Sequence, residues 1–464
     1  MQRDSSDPLF VQLCDQIRQR ITDGTLAQNT KLPPSRGLAS DLGISRSTVV
    51  TAYEQLVAEG YIEGRTGSGY FIRGMAEIDL PKTGKLASII SHDEPEPSAP
   101  RPPSHPGYPD NRLFPYRQWA RSLARSARLT PTALIVSNSP FGDQSLRESI
   151  ARYLADWRGL DILPEQVMIT AGSVDALETC IRNLATRGDL VGLENPGYRP
   201  LRNIVDNQGM RIEWLSVGAD GAELPARSKQ NPAPKMVVLT PSQQFPLGGA
   251  MPVNRRIEYL QWAETCNAWI IEDDYDSEFR YAGRPIPALA SLDNTGRSIY
   301  VGTFSKVFSV SLRLGYLIMP PALIDGFADT LAKFGIKAAL PCQPALANFF
   351  DSGDFYRHIR RVRRIYADRR RLLLELVQQK LSRYVSLRDH QAGMQVTVML
   401  ASGLDDRKIS ALASTRGVLV APLSSYYGAG KAQDGLLLGF CPYTEDEIKH
   451  NIAILCEICD AQRF

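Results

Sequence analysis

Between Glu94 and Gly107 the chain reads Glu-Pro-Glu-Pro-Ser-Ala-Pro-Arg-Pro-Pro-Ser-His-Pro-Gly, six prolines in fourteen residues. Proline has a fixed φ and no amide hydrogen, so such a run cannot pack a core and holds the backbone extended and semi-rigid. It divides the 464 residues into two bodies that must each bury apolar surface of their own. The expected division is 1–74, a linker over 75–107, and 108–464.

In the first body, Leu9, Leu13, Ile17 and Ile21 recur every fourth residue and stop at Gly24, which predicts an amphipathic helix over 8–23. Ser35 is expected to cap a short helix over 36–42 that Gly43 ends, and Ser45 to cap a second one opening at Arg46. Two helices about a glycine turn make a helix-turn-helix arrangement, with Arg46, Ser47 and Thr48 at the end where donors meet base edges and phosphates. Residues 61–64 and 69–73 read as a β-hairpin whose tip, Arg65-Thr66-Gly67-Ser68, is basic and glycine-bearing. Residues 1–73 carry eight basic and eight acidic side chains, and the whole chain is only +3, so bulk charge does not announce nucleic acid. The local pattern does. Leu-Pro-Pro-Ser-Arg from residue 32, Leu-Gly-Ile-Ser-Arg-Ser-Thr-Val from 42, Glu-Gly-Tyr-Ile from 59 and Gly-Ser-Gly-Tyr-Phe from 67 resemble the GntR-type winged helix-turn-helix. The resemblance implies double-stranded operator DNA as partner, with Arg36, Arg46, Ser47, Thr48 and Gly67 as contacts.

The second body turns to alternating strand and helix patterns. Apolar runs at 167–170, 190–193, 236–239, 268–272, 298–302 and 316–319, separated by helical periodicity, predict a mostly parallel α/β sheet, and later runs at 394–400, 418–421 and 436–440 a smaller α+β domain. Two strand ends carry chemistry. Gly302-Thr303-Phe304-Ser305-Lys306 sets a lysine among hydroxyls with Arg313 seven positions on. A partly desolvated lysine there can form a Schiff base, and Thr303, Ser305 and Arg313 suit a phosphate; together they describe pyridoxal 5'-phosphate (PLP). Trp269-Ile-Ile-Glu-Asp-Asp-Tyr-Asp276 ends a strand in acids, where a carboxylate can pair with a protonated pyridine nitrogen. The strand-Gly-Ser-helix junction at Ala171-Gly172-Ser173 aims backbone amides at an anion, which makes Ser173 a phosphate candidate.

Together these stretches resemble fold-type I, aspartate-aminotransferase-like enzymes. The resemblance implies Lys306 as the aldimine lysine, Asp273 as the ring-nitrogen partner, Tyr275 as the contact to the ring hydroxyl, and Thr303 and Arg313 as phosphate ligands. Glu194-Asn-Pro-Gly-Tyr198 resembles the segment that lays an aromatic ring over PLP, and Thr240-Pro-Ser-Gln-Gln-Phe245 stands where the enzymes carry Asn-Pro-Thr-Gly, with Phe245 in place of the asparagine.

Winged helix-turn-helix, proline-rich linker and aminotransferase-like domain in this order resemble the MocR subgroup of GntR regulators. That resemblance implies a homodimeric, cytoplasmic, PLP-binding transcription factor that answers to PLP or to an amine, with no catalytic residue of its own. An active aminotransferase carrying a DNA module is the alternative, and a PLP domain that merely dimerises is a third reading. Leu436-Leu-Leu-Gly-Phe440 weighs against the enzyme, because transaminases place there an arginine that grips the substrate carboxylate and this chain has Leu437. Asp175, close to the phosphate site, would be unfavourable unless it points away.

Eight arginines between 355 and 375, with apolar residues at helical spacing, read as a solvated helix face. Seven scattered cysteines form no disulfide framework, and Cys456 and Cys459 read as one face of a helix rather than a metal site. No apolar run approaches the roughly 20 residues that span a bilayer, so no membrane partner is expected.

Overall fold

The computed structural model describes residues 7–73, 106–129, 131, 139–225, 232–283, 285–388 and 390–462. The chain forms two compact units, Met1–Ala99 and Pro100–Phe464. Residues 75–105 of the expected linker lie outside the described residues.

The first unit is α1 (Leu9–Thr22), α2 (Ser35–Leu42), α3 (Arg46–Ala58), β1 (Ile62–Arg65) and β2 (Gly69–Ile72). Its core joins Leu13, Ile17 and Ile21 of α1 to Val49, Ala52, Tyr53 and Leu56 of α3, closed by Ile62 and Ile72 of the antiparallel hairpin. Gly43 ends α2 in the left-handed conformation (φ 63°), which only glycine adopts without strain. Ser45 caps α3, its Oγ accepting from the Thr48 amide at 3.1 Å. Ser35 does not cap α2: the preceding Pro34 already fixes the entry angle, and Ser35 is the first helical residue. Ser45→Ala should destabilise this unit by about 1 kcal/mol, read as a lower denaturant midpoint for its helical signal, whereas Ser35→Ala should leave that midpoint in place.

The second unit is built on an eight-stranded sheet. Its strands are β3 (Val167–Thr170), β4 (Leu190–Asn195), β5 (Arg211–Gly218), β6 (Gly221–Ala222), β7 (Met236–Leu239), β8 (Trp269–Asp274), β9 (Ser298–Thr303) and β10 (Gly315–Ile318), in the order β3-β10-β9-β8-β7-β4-β5-β6. The run β5-β4-β7-β8-β9 is parallel, and β10 is antiparallel to both neighbours. Strands β7 and β9, inside the parallel run, are buried throughout, as both-face coverage requires, and so is the outer strand β3. The carboxyl ends of β3, β4, β7, β8 and β9 therefore share one edge, the place where open α/β sheets bind ligands. A smaller antiparallel sheet orders β11 (Val385–Leu387), β12 (Gln395–Leu400), β14 (Gly435–Gly439) and β13 (Val420–Pro422).

The arginine-rich segment is one helix, Asp354–Leu376, and its expected character needs correcting. Arg357, Arg360, Arg361, Arg364 and Arg371 are exposed, but Arg369 and Arg370 are buried. Arg369 donates to Asp110 at 2.9 Å, and a buried cation is tolerable only with such a partner. Cys456 and Cys459 sit on the helix Glu445–Gln462. Among the described residues no helix is long and apolar enough to cross a membrane, and no group of three or more His, Cys, Asp or Glu side chains could hold a metal.

Candidate functional site

Side chains alternate along a strand, and β8 uses both faces differently. Glu272 and Asp274 turn to Arg158, which is 2% exposed and sits 3.8 and 2.9 Å from their carboxylates. Arg158 also donates to Ser242 and to the Ile286 carbonyl. Burial works against its charge but is outweighed by Asp274, Tyr300 and Glu272, so it stays protonated. Asp273 and Tyr275, two apart, turn the other way into a cavity of about 590 Å³ at the carboxyl edge of the sheet, within the usual range of small-molecule sites.

That cavity is lined by every one of the sequence-predicted cofactor residues: Ser173, Tyr198, Asp273, Tyr275, Thr303, Lys306 and Arg313. Ser173 opens the helix Ser173–Leu184 after Gly172 (φ 95°), so Ala171, Gly172, Ser173 and Val174 present the helix N-terminus to the cavity. Arg313 holds a left-handed backbone (φ 48°), a strain that non-glycine residues accept chiefly at functional positions. The Thr303 hydroxyl accepts from the Ser305 amide at 3.2 Å. Asp175 points away: it accepts from the Ala171 amide at 2.8 Å and pairs with Lys337 at 3.2 Å.

Lys306 faces Asp273 from the β9 side. Burial lowers its pKa, against the raising influence of Asp276, Cys441 and Asp273. Its Nζ donates to the Gly107 carbonyl at 2.9 Å and lies 5.2 Å from the centre of the Tyr108 ring. Burial, with Asp274 and Glu194 close by, pushes the Asp273 carboxyl up to about 7. Asp273 Oδ1 is buried with no hydrogen-bond partner among the described residues, an acceptor waiting for a donor. Phe245 brings its ring edge-on to Tyr198, Tyr275 and Tyr426, with centroids 6.0, 5.7 and 5.2 Å away. Leu437, at the position expected to bear a carboxylate-gripping arginine, is buried beside Phe245, Leu247 and Leu423 and does not line the cavity.

A PLP molecule fits these residues on three counts. The orphaned Asp273 oxygen suits a pyridinium N–H, the open helix N-terminus suits a phosphate, and Lys306 supplies an amine of lowered basicity between them. The cavity also holds residues that sequence reasoning did not select, among them Tyr108, Asp276, Gln395 and Tyr426. Asp276 stood in the acidic stretch already singled out, whereas Gln395 arrives from the small sheet with no local signal.

In the first unit Arg36, Arg46 and Ser47 are exposed, Thr48 is half-buried, and Gly67 takes φ 73° at the exposed hairpin tip. Ser45 Oγ lies 2.7 Å from Ser47 Oγ and 2.8 Å from Thr48 Oγ1, so the cap also orders the hydroxyls that follow Arg46. If Arg46 meets a phosphate, Arg46→Ala should lower the slope of log affinity for random-sequence duplex DNA against log salt by about 0.9 per lost contact; an unchanged slope and affinity would remove Arg46 from the interface.

Residues 108–450 match the family described as aminotransferase class I and II, and residues 9–72 the bacterial regulatory proteins of the gntR family. The chain is 38% identical, over 95% of its length and 91% of the relative's, to the Rhizobium meliloti protein named "Probable rhizopine catabolism regulatory protein MocR". It is 35% identical, over 97% and 95%, to the HTH-type pyridoxine biosynthesis transcriptional regulator PdxR of Corynebacterium glutamicum. Among solved structures, kynurenine aminotransferase of Pyrococcus horikoshii superposes with a TM-score of 0.71 at 26% identity, covering 77% of this chain and 90% of that one.

Proposed function

The chain belongs to the MocR-type gntR-family transcriptional regulators, and from that premise we propose that its aminotransferase-like unit holds PLP on Lys306 and makes DNA binding respond to PLP itself or to an amine. The observation that carries the reading is the facing pair of Lys306 and the orphaned Asp273 across one cavity, with the Ser173 helix N-terminus beside them. The name of one relative ties it to pyridoxine biosynthesis, which supports an effector related to PLP, and that of another to the catabolism of a small molecule, rhizopine.

Bound there, the cofactor supplies an aldehyde for the reversible capture of amines and a ring that withdraws electrons from the captured carbon. The remaining work belongs to the chain. Burial keeps more of Lys306 as free amine near neutral pH than an ordinary lysine, which readies it for a carbonyl. Asp273 ionises when a cationic ring nitrogen comes beside it, because a neighbouring positive charge reverses the effect of burial. Ser173, Thr303 and Arg313 hold the phosphate, Tyr275 the ring hydroxyl, and Tyr198 covers the ring. Arg36, Arg46, Ser47, Thr48 and Gly67 meet operator DNA, and two copies of the chain present two such modules to repeated half-sites.

The enzymatic reading loses its substrate clamp at Leu437, since an α-amino acid would leave its carboxylate without the arginine partner worth roughly 1.5–3 kcal/mol. Absorbance of the purified chain with PLP, followed through added amines and then an α-keto acid, separates the two. A regulator shows the visible band of a lysine-bound cofactor without conversion to pyridoxamine phosphate, and its DNA affinity changes with the same additions. Repeated turnover with a keto acid would make it an aminotransferase, and DNA affinity indifferent to every addition would leave the unit a dimerisation module.

A further inference from the structure

Two carboxylates in the cavity, not one, end in a buried oxygen without a partner: Asp273 Oδ1 and Asp276 Oδ1. One pyridine nitrogen can satisfy only one of them. Asp276 is 3% exposed, and an acceptor buried to that degree and left unpaired is costly unless a ligand completes it. The Met394 amide holds the carboxyl of Asp276 in place, leaving Oδ1 open. The next residue, Gln395, lines the same cavity, and its Oε1 is likewise buried and unpartnered. The cavity wall formed by the end of β8 and the start of β12 thus offers two buried acceptor oxygens, Asp276 Oδ1 and Gln395 Oε1, that have no partner among the described residues. A ligand group seated there must donate hydrogen bonds. A carboxylate would set its own lone pairs against these two oxygens, and the apolar Leu437 of the same small sheet offers it no cation.

We propose that Asp276 and Gln395 receive a second polar group of the effector, which makes that effector a small primary amine carrying an additional ammonium or hydroxyl donor and no carboxylate. The inference rests on the reading of Lys306 as the cofactor lysine and deepens it by naming the ligand class. The reacting amine goes to the cofactor, and the second donor to the Asp276 and Gln395 wall.

The test uses the full-length chain loaded with PLP and titrated with butylamine, putrescine, 4-aminobutanol and 4-aminobutyrate, each followed by the change in visible absorbance. Putrescine or 4-aminobutanol should act at concentrations about fivefold or more below butylamine, the factor that a buried hydrogen bond otherwise left unmade contributes, and 4-aminobutyrate should be the weakest. The quantity compared between variants is the ratio of putrescine or 4-aminobutanol to butylamine within one protein. Asp276→Asn, which keeps the shape and replaces one carboxyl oxygen by an amide donor, should collapse the putrescine ratio towards one, and Gln395→Leu should lower it independently should Asp276→Asn fail to fold. A wild-type ratio near one for both, a ratio retained in both variants, or 4-aminobutyrate binding as tightly as putrescine would overturn the proposal. If PLP adds no visible band to the wild-type chain, the cofactor reading falls and this inference with it. A normal band with a flat ratio removes only the inference.

Discussion

Lys306→Ala is expected to abolish the visible absorbance that PLP adds to the wild-type chain and to leave no cofactor mass on the protein after borohydride reduction. It should also uncouple DNA affinity from added amines. The expectation is all-or-none because the bond at stake is covalent, and among the described residues no other lysine lines the cavity. Residual PLP should still bind through Asp273 and the Ser173 helix N-terminus, so the variant should quench cofactor fluorescence on binding while lacking the band. A wild-type band in Lys306→Ala would move the site to another amine and dismantle the geometry on which the regulatory reading stands. Asp273 in its place would then have no explanation for its unsatisfied oxygen.

The second large effect is one of stability. Arg158→Met should cost about 3–5 kcal/mol, because it removes the cation from between two carboxylates that stay buried. Glu272 is fully buried and Asp274 nearly so, and the lost guanidinium also frees Ser242 and the Ile286 carbonyl. The deficit carries a sign in pH. Burial, first among the causes, already raises the Glu272 carboxyl above its ordinary value, and Arg158 is the main influence holding it down. Without Arg158 the folded-state pKa rises further, and a carboxyl raised on folding gains stability as pH falls through that value. Thermal melts of Arg158→Met should therefore approach wild type as pH drops from neutral into the acidic range, and adding Asp274→Asn should recover part of the loss at neutral pH. A variant that melts within a degree or two of wild type at pH 7 would show that the two acids are not held by this arginine.

Much of the site was legible because its chemistry sits at the ends of strands whose apolar runs are unbroken. β3 and β7 fall where the hydrophobic pattern predicts, and Lys306, Asp273 and Ser173 follow from the turns that end β9, β8 and β3. β5 escaped notice because it lies towards the sheet edge, where its exposed Arg211 and Ser216 interrupt the apolar run that marked the central strands. Arg369 read as a surface charge because its partner, Asp110, is 259 residues away, beyond the reach of any local pattern. Asp276 was visible as a residue but not as an unsatisfied acceptor. That property depends on which donors the small sheet brings, and only the assembled fold shows that the Met394 amide reaches the Asp276 carboxyl while Asp276 Oδ1 stays without a partner among the described residues.

Lys306 is also a fastener. Its ammonium holds the carbonyl of Gly107, and on the other side of that peptide Pro106 lies so close to Gly439 that a methyl group there would sit 2.2 Å from the Pro106 oxygen. The segment entering the second unit is thus pinned between a strand end and the reactive nitrogen. If Lys306 condensed with an aldehyde, losing water, its nitrogen would keep at most one hydrogen where the free ammonium has three, and fewer donors would remain for the Gly107 carbonyl. One hydrogen bond from Lys306 thus ties the candidate site to the segment at Pro106 and Gly107.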